Sequence, residues 1–116
     1  MVWKTLDSLL GLDTLLTEST SKDIVIFKHS TTCSISHMAK MRLEENWDLH
    51  DLDIYYLDLK KYRNVSDAIV EKLHVHHESP QILLIRNKDC IYDASHFDIS
   101  VDELKESLAW GTTTSL

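Results

Sequence analysis

Two cysteines supply the only thiols in this chain of 116 residues, and Cys33 lies where a thiol can react. It follows a polar segment, His29-Ser-Thr-Thr, and precedes a predicted helix. A helix N-terminus favours negative charge, so this position stabilises a thiolate, the nucleophilic form of cysteine. We therefore predict that Cys33 is a nucleophile and that the hydroxyls of Thr31, Thr32 and Ser36 add hydrogen-bond donors to it.

The spacing around Cys33 indicates which thiol chemistry to expect. Cys33-Ser-Ile-Ser36 has the spacing of a Cys-X-X-Cys motif, with serine in place of the second cysteine. A mixed disulfide on Cys33 must therefore be released by a second thiol from solution, which is monothiol exchange of the glutaredoxin type. Cys90 begins a predicted strand and has no basic or helix-end neighbour, so we predict that it is structural.

The elements that position Cys33 follow from the spacing of apolar residues and from cap residues. Strands are predicted at 2–4, 23–27, 53–58, 81–85 and 90–93. Helices are predicted over the leucines at 6–16, from Cys33 to Trp47, from Asn64 to Leu73, and from Val101 to a stop at Gly111. Thr32 and Asn64 are the predicted N-caps of the second and third helices, and Ser100 with Glu103 forms a capping box for the last.

Along the second helix, the predicted apolar face is Ile35, Met38, Ala39, Leu43 and Trp47. The short connection between the last two strands, at residues 87–89, predicts an antiparallel hairpin. The resulting order, (β)αβαβαββα, is that of an α/β thioredoxin-like fold, a mixed central sheet of four to five strands flanked by helices. We expect a single domain over 1–110 and a loose tail over 111–116.

The single proline, Pro80, precedes the third core strand. In the thioredoxin architecture the proline at this place is cis and its loop lies against the cysteine. We therefore expect Pro80 to be cis and to face Cys33. The backbone of Ser79 would then be free to pair with the peptide-like part of a bound thiol.

Seven histidines offer a second set of candidate residues. His37 lies one turn after Cys33, and His77 and His96 lie in loops that border the cysteine in this architecture. A protonated imidazole there would lower the thiol pKa. An alternative is a non-catalytic binding module, in which His29, His77 and His96 with Cys33 hold a metal or a partner. No cysteine and histidine pair has zinc-finger spacing, and no metal ligand is assigned.

The overall composition excludes several other classes of function. Twelve Lys and Arg residues against nineteen Asp and Glu give a net charge of −7, which argues against nucleic-acid binding. No apolar run reaches the ~20 residues that span a bilayer, and the first residues do not form a secretory signal. We expect a cytoplasmic protein with reduced thiols. A thiol peroxidase or transferase that uses the same cysteine is a third hypothesis.

Three blocks of sequence resemble one known family. They are Phe27-Lys-His-Ser-Thr-Thr-Cys-Ser-Ile-Ser36, His77-Glu-Ser-Pro-Gln81 and Ser95-His-Phe-Asp-Ile-Ser100. In this order they resemble the YtxJ-like monothiol bacilliredoxins of the thioredoxin superfamily, over about residues 24–108. Members usually have Thr-Cys-Pro-Ile-Ser, whereas this chain has Ser34 in place of that proline. A proline at the first helical turn stiffens the loop, so the difference bears on thiol acidity.

The resemblance implies a role for this chain in bacillithiol metabolism. Bacillithiol is a low-molecular-weight thiol that forms mixed disulfides with protein cysteines, and a bacilliredoxin removes it. Cys33 would take the bacillithiol, with bacillithiol as co-substrate and no bound cofactor. The implied partners are bacillithiolated proteins, free bacillithiol, and a reductase of the thioredoxin or flavin type.

Overall fold

The computed structural model describes residues 1–109, and within them five strands and four α-helices follow one another in the predicted order. In chain order they are β1 (Trp3–Thr5), α1 (Leu9–Glu18), β2 (Ile24–His29), α2 (Ser34–Asn46), β3 (Asp53–Asp58), α3 (Arg63–Leu73), β4 (Gln81–Arg86), β5 (Asp89–Ser95) and α4 (Val101–Leu108). A short 3₁₀ helix, His96–Asp98, joins β5 to α4. The predicted stop at Gly111 and the tail over 111–116 lie outside the described residues.

One mixed sheet organises the molecule, with strand order β1-β3-β2-β4-β5. The β1–β3 and β2–β3 pairs are parallel, and the β2–β4 and β4–β5 pairs are antiparallel. The predicted α/β class and mixed sheet are confirmed. The predicted hairpin is also present, and Asn87 and Lys88 at its turn have positive φ values of 53° and 68°, as a two-residue turn of type I′ requires.

The central strand β2 separates two apolar cores. Ile24 and Ile26 pack with residues of α1 and α3. Val25 and Phe27 pack with residues of α2 and α4. Successive side chains of a strand point to opposite faces, so Lys28 continues the first face and His29 the second. Both are buried, and every residue of β2 is buried.

The prediction that His29 belongs to a polar loop is wrong. His29 is the last residue of β2, pairs with Asp58 of β3 and is only 1% exposed. A polar side chain can end a buried strand when it has a hydrogen-bond partner, and here Ser36 provides one. The polar loop is therefore shorter than predicted and begins at Ser30.

Two of the predicted N-caps are wrong. Cys33 itself is the N-cap of α2, and Tyr62 is the N-cap of α3, with no side-chain cap hydrogen bond at either position. The hydroxyl of Thr32 accepts a hydrogen bond from Lys60 instead of capping a helix. Ser100 does cap α4, since its hydroxyl accepts the N–H of Glu103.

The predicted apolar face of α2 is wrong in part. Ala39, Leu43 and Trp47 are buried, but Met38 is 52% exposed and the face is completed by Ser36. A serine replaces an apolar residue here because its hydroxyl bonds to the end of β2. Among the helices of residues 1–109, none is long and apolar enough to cross a membrane.

Candidate active site

Cys33 lies at the junction of the β2–α2 loop and the helix. Its N–H donates to the carbonyl of Ser30, and its carbonyl accepts the N–H of His37. The side chain is partly exposed. Within residues 1–109, no side chain forms a hydrogen bond or an ion pair with its sulfur. The start of α2 is therefore the main local source of positive potential for a thiolate.

Ser36, at the last position of the Cys-X-X-Ser segment, is fully buried. Its hydroxyl accepts the N–H of Ser30 at 3.1 Å and lies 2.6 Å from Nδ1 of His29. These contacts tie the first turn of α2 to the end of β2, on both sides of the loop that carries Cys33. The Ser36 hydroxyl, predicted as a donor to the sulfur of Cys33, thus bonds to Ser30 and His29 instead.

The ring of His29 packs against three other rings. The rings of Phe27, His37 and Tyr56 lie 5.8, 4.8 and 5.3 Å from its ring, measured between centroids. Burial, with the electrostatic effect of His37 and Lys40, lowers the pKa of His29 to about 4. The neutral imidazole is therefore the form at neutral pH, so its role is structural support of Ser36.

The two threonines before Cys33 have partners of their own. The carbonyl of Thr31 accepts a hydrogen bond from Nε2 of His37 at 2.8 Å, which closes the loop onto the first turn of α2. The hydroxyl of Thr32 accepts a hydrogen bond from Nζ of Lys60 at 2.8 Å. Sequence reasoning missed Lys60, because it comes from the β3–α3 connection and only the fold brings it to the loop.

The segment before β4 contains the cis peptide bond Ser79–Pro80. Pro80 is buried, and its carbonyl accepts the N–H of His96 at 3.0 Å. The next residue, Gln81, pairs with Lys28 of β2, so this segment lies at the same end of the sheet as the loop after β2. Pairing of the Ser79 backbone with a substrate, and the facing of Pro80 and Cys33, stay predictions.

A buried amine lies beside this segment. Nζ of Lys28 lies 2.9 Å from Nδ1 of His77 and donates to the side-chain oxygen of Gln81 at 3.1 Å. Burial, and then the charge of Arg63, lower the pKa of Lys28 to about 8. Sequence reasoning missed this cluster, although a lysine that continues an apolar strand run was the available signal.

The three histidines that were predicted to act on Cys33 contact other residues. His77 lies against Lys28, and burial, with the charges of Lys28 and Arg63, lowers its pKa. Nε2 of His96 lies 3.4 Å from a carboxylate oxygen of Glu78. His37 is bonded to Thr31. An effect of these three imidazoles on the thiol pKa stays a prediction.

Cys90 has the environment of a structural thiol. It is half-buried in β5, and its sulfur donates to the carbonyl of Tyr92 at 3.2 Å. Burial, together with the charge of Asp93, raises the pKa of this thiol to about 11. The neutral thiol is a poor nucleophile, so the two cysteines differ in their expected reactivity.

The metal-binding alternative has no geometric support in the described chain. Over residues 1–109, no three or more His, Cys, Asp or Glu side chains are grouped to hold a metal ion. The three histidines of that hypothesis are engaged separately, with Ser36, Lys28 and Glu78.

Residues 4–104 match the sequence model of a protein family described as monothiol bacilliredoxin BrxC. This chain belongs to the monothiol bacilliredoxin family. The matched range includes all three blocks that carried the resemblance. The monothiol description of the family agrees with the serine at position 36, where a Cys-X-X-Cys motif has its second cysteine.

Solved structures agree with the bacilliredoxin fold assignment. One, described as a candidate oxidoreductase with a thioredoxin fold, is 33% identical, with a TM-score of 0.82 over 92% of this chain and 94% of that chain. Thioredoxin from Plasmodium falciparum is 13% identical, with a TM-score of 0.72 over 93% and 99% of the two chains. A mutant thioredoxin from Halobacterium salinarum is also 13% identical, with a TM-score of 0.70 over 92% and 88%. The two thioredoxins show the fold alone.

Proposed function

We propose that this protein is a monothiol oxidoreductase that removes bacillithiol from protein mixed disulfides through Cys33. Membership of the bacilliredoxin family supports the choice of the small thiol. The position of Cys33 at the start of α2 supports its choice as the nucleophile. The protein would act in the cytoplasm, where thiols are kept reduced.

The proposed reaction has two exchange steps. The thiolate of Cys33 attacks the bacillithiol sulfur of the mixed disulfide, a new disulfide forms between Cys33 and bacillithiol, and the protein thiolate leaves and takes a proton from water. A second bacillithiol thiolate then attacks the bacillithiol sulfur bound to Cys33. Cys33 is released, bacillithiol disulfide forms, and no net electrons are gained or lost by this protein. A reductase of the thioredoxin or flavin type is an alternative for the second step.

The observation that carries the proposal is that a buried serine, Ser36, occupies the position of a second cysteine. Its hydroxyl is bonded to Ser30 and His29 inside the protein. No thiol stands at the resolving position, and Cys90 is held neutral in β5. Because no second thiol is available inside the site, the mixed disulfide on Cys33 would persist until an external thiol attacks it.

Mass spectrometry of the intact protein tests the proposal. We expect bacillithiol disulfide to add one bacillithiol to the wild type and to Cys90→Ala, and none to Cys33→Ser. A bacillithiolated substrate protein should lose its adduct to the wild type and to Cys90→Ala at equal rates. Free bacillithiol should then remove the adduct from Cys33.

The matched pair of cysteine variants separates the possible failures. Equal and slow labelling of both thiols would refute the choice of Cys33. Rapid oxidation of Cys33 to sulfenic acid by peroxide, with no exchange with bacillithiol, would support the peroxidase hypothesis instead. An internal disulfide between Cys33 and Cys90 would contradict the monothiol mechanism.

A further inference from the structure

We propose that Lys60 binds an anionic group, such as a carboxylate, on the small-molecule disulfide that reacts at Cys33, and so selects anionic over neutral disulfides. The inference rests on the proposed function, since it concerns the ligand of the same thiol. It assigns a ligand-binding role to a residue outside the three short blocks of sequence that carried the resemblance.

Backbone hydrogen bonds hold Lys60 beside the reactive loop. The N–H of Leu59 donates to the carbonyl of His29 at 3.1 Å, and the N–H of Tyr62 donates to the carbonyl of Asp58 at 2.9 Å. The β3–α3 connection is thereby fastened to the end of β2. From there Nζ of Lys60 reaches the hydroxyl of Thr32, the residue directly before Cys33, at 2.8 Å.

The ammonium group of Lys60 has capacity left for a ligand. An ammonium carries three N–H donors, and Thr32 takes one of them. Lys60 is exposed, and within residues 1–109 it forms no ion pair with a carboxylate. Two donors thus remain for a ligand beside Thr32, the residue before the cysteine, and a carboxylate can take them without breaking the bond to Thr32.

The charge around this lysine is opposite to that of the whole protein. The net charge is −7, yet no Asp or Glu lies between Asp23 and Glu44, and positions 60–63 read Lys-Lys-Tyr-Arg. The nearby carboxylates have other partners. That of Asp58 accepts the N–H of Lys61, and that of Asp67 pairs with Arg63 at 3.5 Å. A basic side chain held against Thr32 would attract an anionic ligand to the Cys33 loop and repel a cationic one.

A matched pair of variants tests the inference. Lys60→Met removes the charge next to Thr32, and Lys61→Met removes an adjacent charge whose ammonium lies over the Tyr62 ring. The probes are three disulfides of similar size, the anionic dithiodipropionate, the neutral hydroxyethyl disulfide and the cationic cystamine. The readout is the second-order rate constant of each with Cys33.

We expect Lys60→Met to lower the rate constant for dithiodipropionate by roughly three- to tenfold. The rate constant for hydroxyethyl disulfide should stay within about twofold of the wild-type value. Cystamine should react faster, and Lys61→Met should resemble the wild type. The difference should shrink in 0.5 M salt, because an exposed charge is screened. This pattern would identify Lys60 as a ligand-binding residue.

Other outcomes would overturn the inference. An equal loss with all three disulfides, with a raised thiol pKa from the pH dependence of alkylation, would mean that Lys60 acts on the thiolate instead. Equal effects of Lys60→Met and Lys61→Met would mean that only net charge matters. If Cys33 of the wild type exchanges with dithiodipropionate in a Lys60-dependent way but leaves bacillithiolated protein unchanged, the proposed substrate fails while the anion selectivity stands.

Discussion

The hydroxyl of Ser36 lies 2.6 Å from Nδ1 of His29, and both side chains are buried. One belongs to the first turn of α2 and the other ends β2, so this contact joins the two elements that carry the loop of Cys33. The residue in the place of a second thiol is therefore a structural link. Loss of the Ser36 hydroxyl should therefore change the conformation of the Cys33 loop, and any change in the reactivity of the thiol should follow from that.

Substitution of Ser36 by alanine should lower stability. Ser36→Ala leaves the N–H of Ser30 and Nδ1 of His29 without their buried partner, and an unsatisfied buried polar group costs about 1–3 kcal/mol. The measurement is the free energy of unfolding in urea. Ser34→Ala, at an exposed position two residues away, is the control and should stay within about 0.5 kcal/mol of the wild type. Equal stability of the two variants would contradict the structural role.

The stability of the protein should fall as the pH falls from about 6.5 to about 4. The pKa of His29 is lowered to about 4 in the fold, so the unfolded chain binds more protons over this range. The expected loss attributable to this one group is about 3 kcal/mol. His29→Phe keeps a ring among Phe27, His37 and Tyr56 and removes the titration. The wild type should therefore lose stability relative to His29→Phe as the pH falls, with a plateau below pH 4.

Unfolding measured at several pH values tests this expectation. His50→Gln is the control, since His50 is exposed and this substitution should leave the pH dependence of the wild type unchanged. A stability difference between wild type and His29→Phe that is constant from pH 6.5 to pH 4 would show that His29 is not held neutral by burial.

Lys28 predicts a second pH dependence in the alkaline range. Its pKa is lowered to about 8 in the fold, and the ordinary value is 10.5, so the unfolded chain binds more protons between these values. The stability of the wild type relative to Lys28→Met should therefore rise as the pH increases from about 8 to about 10.5. Lys72→Met, which removes an exposed lysine paired with Asp13, is the comparison and should show a flat difference. A flat difference for Lys28→Met as well would contradict the buried amine.

Substitution of Ser34 by proline should be tolerated and should stabilise the protein. Ser34 is the first residue of α2, where proline fits because its missing N–H is unpaired in any helix. Cys33 has φ −106° and ψ 121°, the extended conformation that a following proline requires. We expect a gain of about 0.4–1 kcal/mol from lower entropy of the unfolded chain. Thermal unfolding of Ser34→Pro against Ser34→Ala measures it, and a lower midpoint for the proline variant would show strain in the loop.

Much of the fold could be read from the chain because the signals are local. The apolar runs of β2 and β4 and the cap at Ser100 predicted their elements within a few residues. The predictions at Thr32 and Asn64 failed because a cap depends on the path of the chain before the helix. Before α3, that path is set by the hydrogen bonds of Leu59 to His29 and of Tyr62 to Asp58.

The sequence by itself predicted the nucleophile, since Cys33 lies between a strand and a helix and serine replaces a second cysteine three residues later. It also determined the order of elements and the family, through short-range patterns. Only the tertiary structure decided what surrounds the thiol. Lys60 reaches Thr32 across 28 residues, and His29 meets Ser36 in the interior. The physical reason is that helical and strand periods are written in neighbouring residues, whereas the partners of a side chain are decided by how strands pair and helices pack.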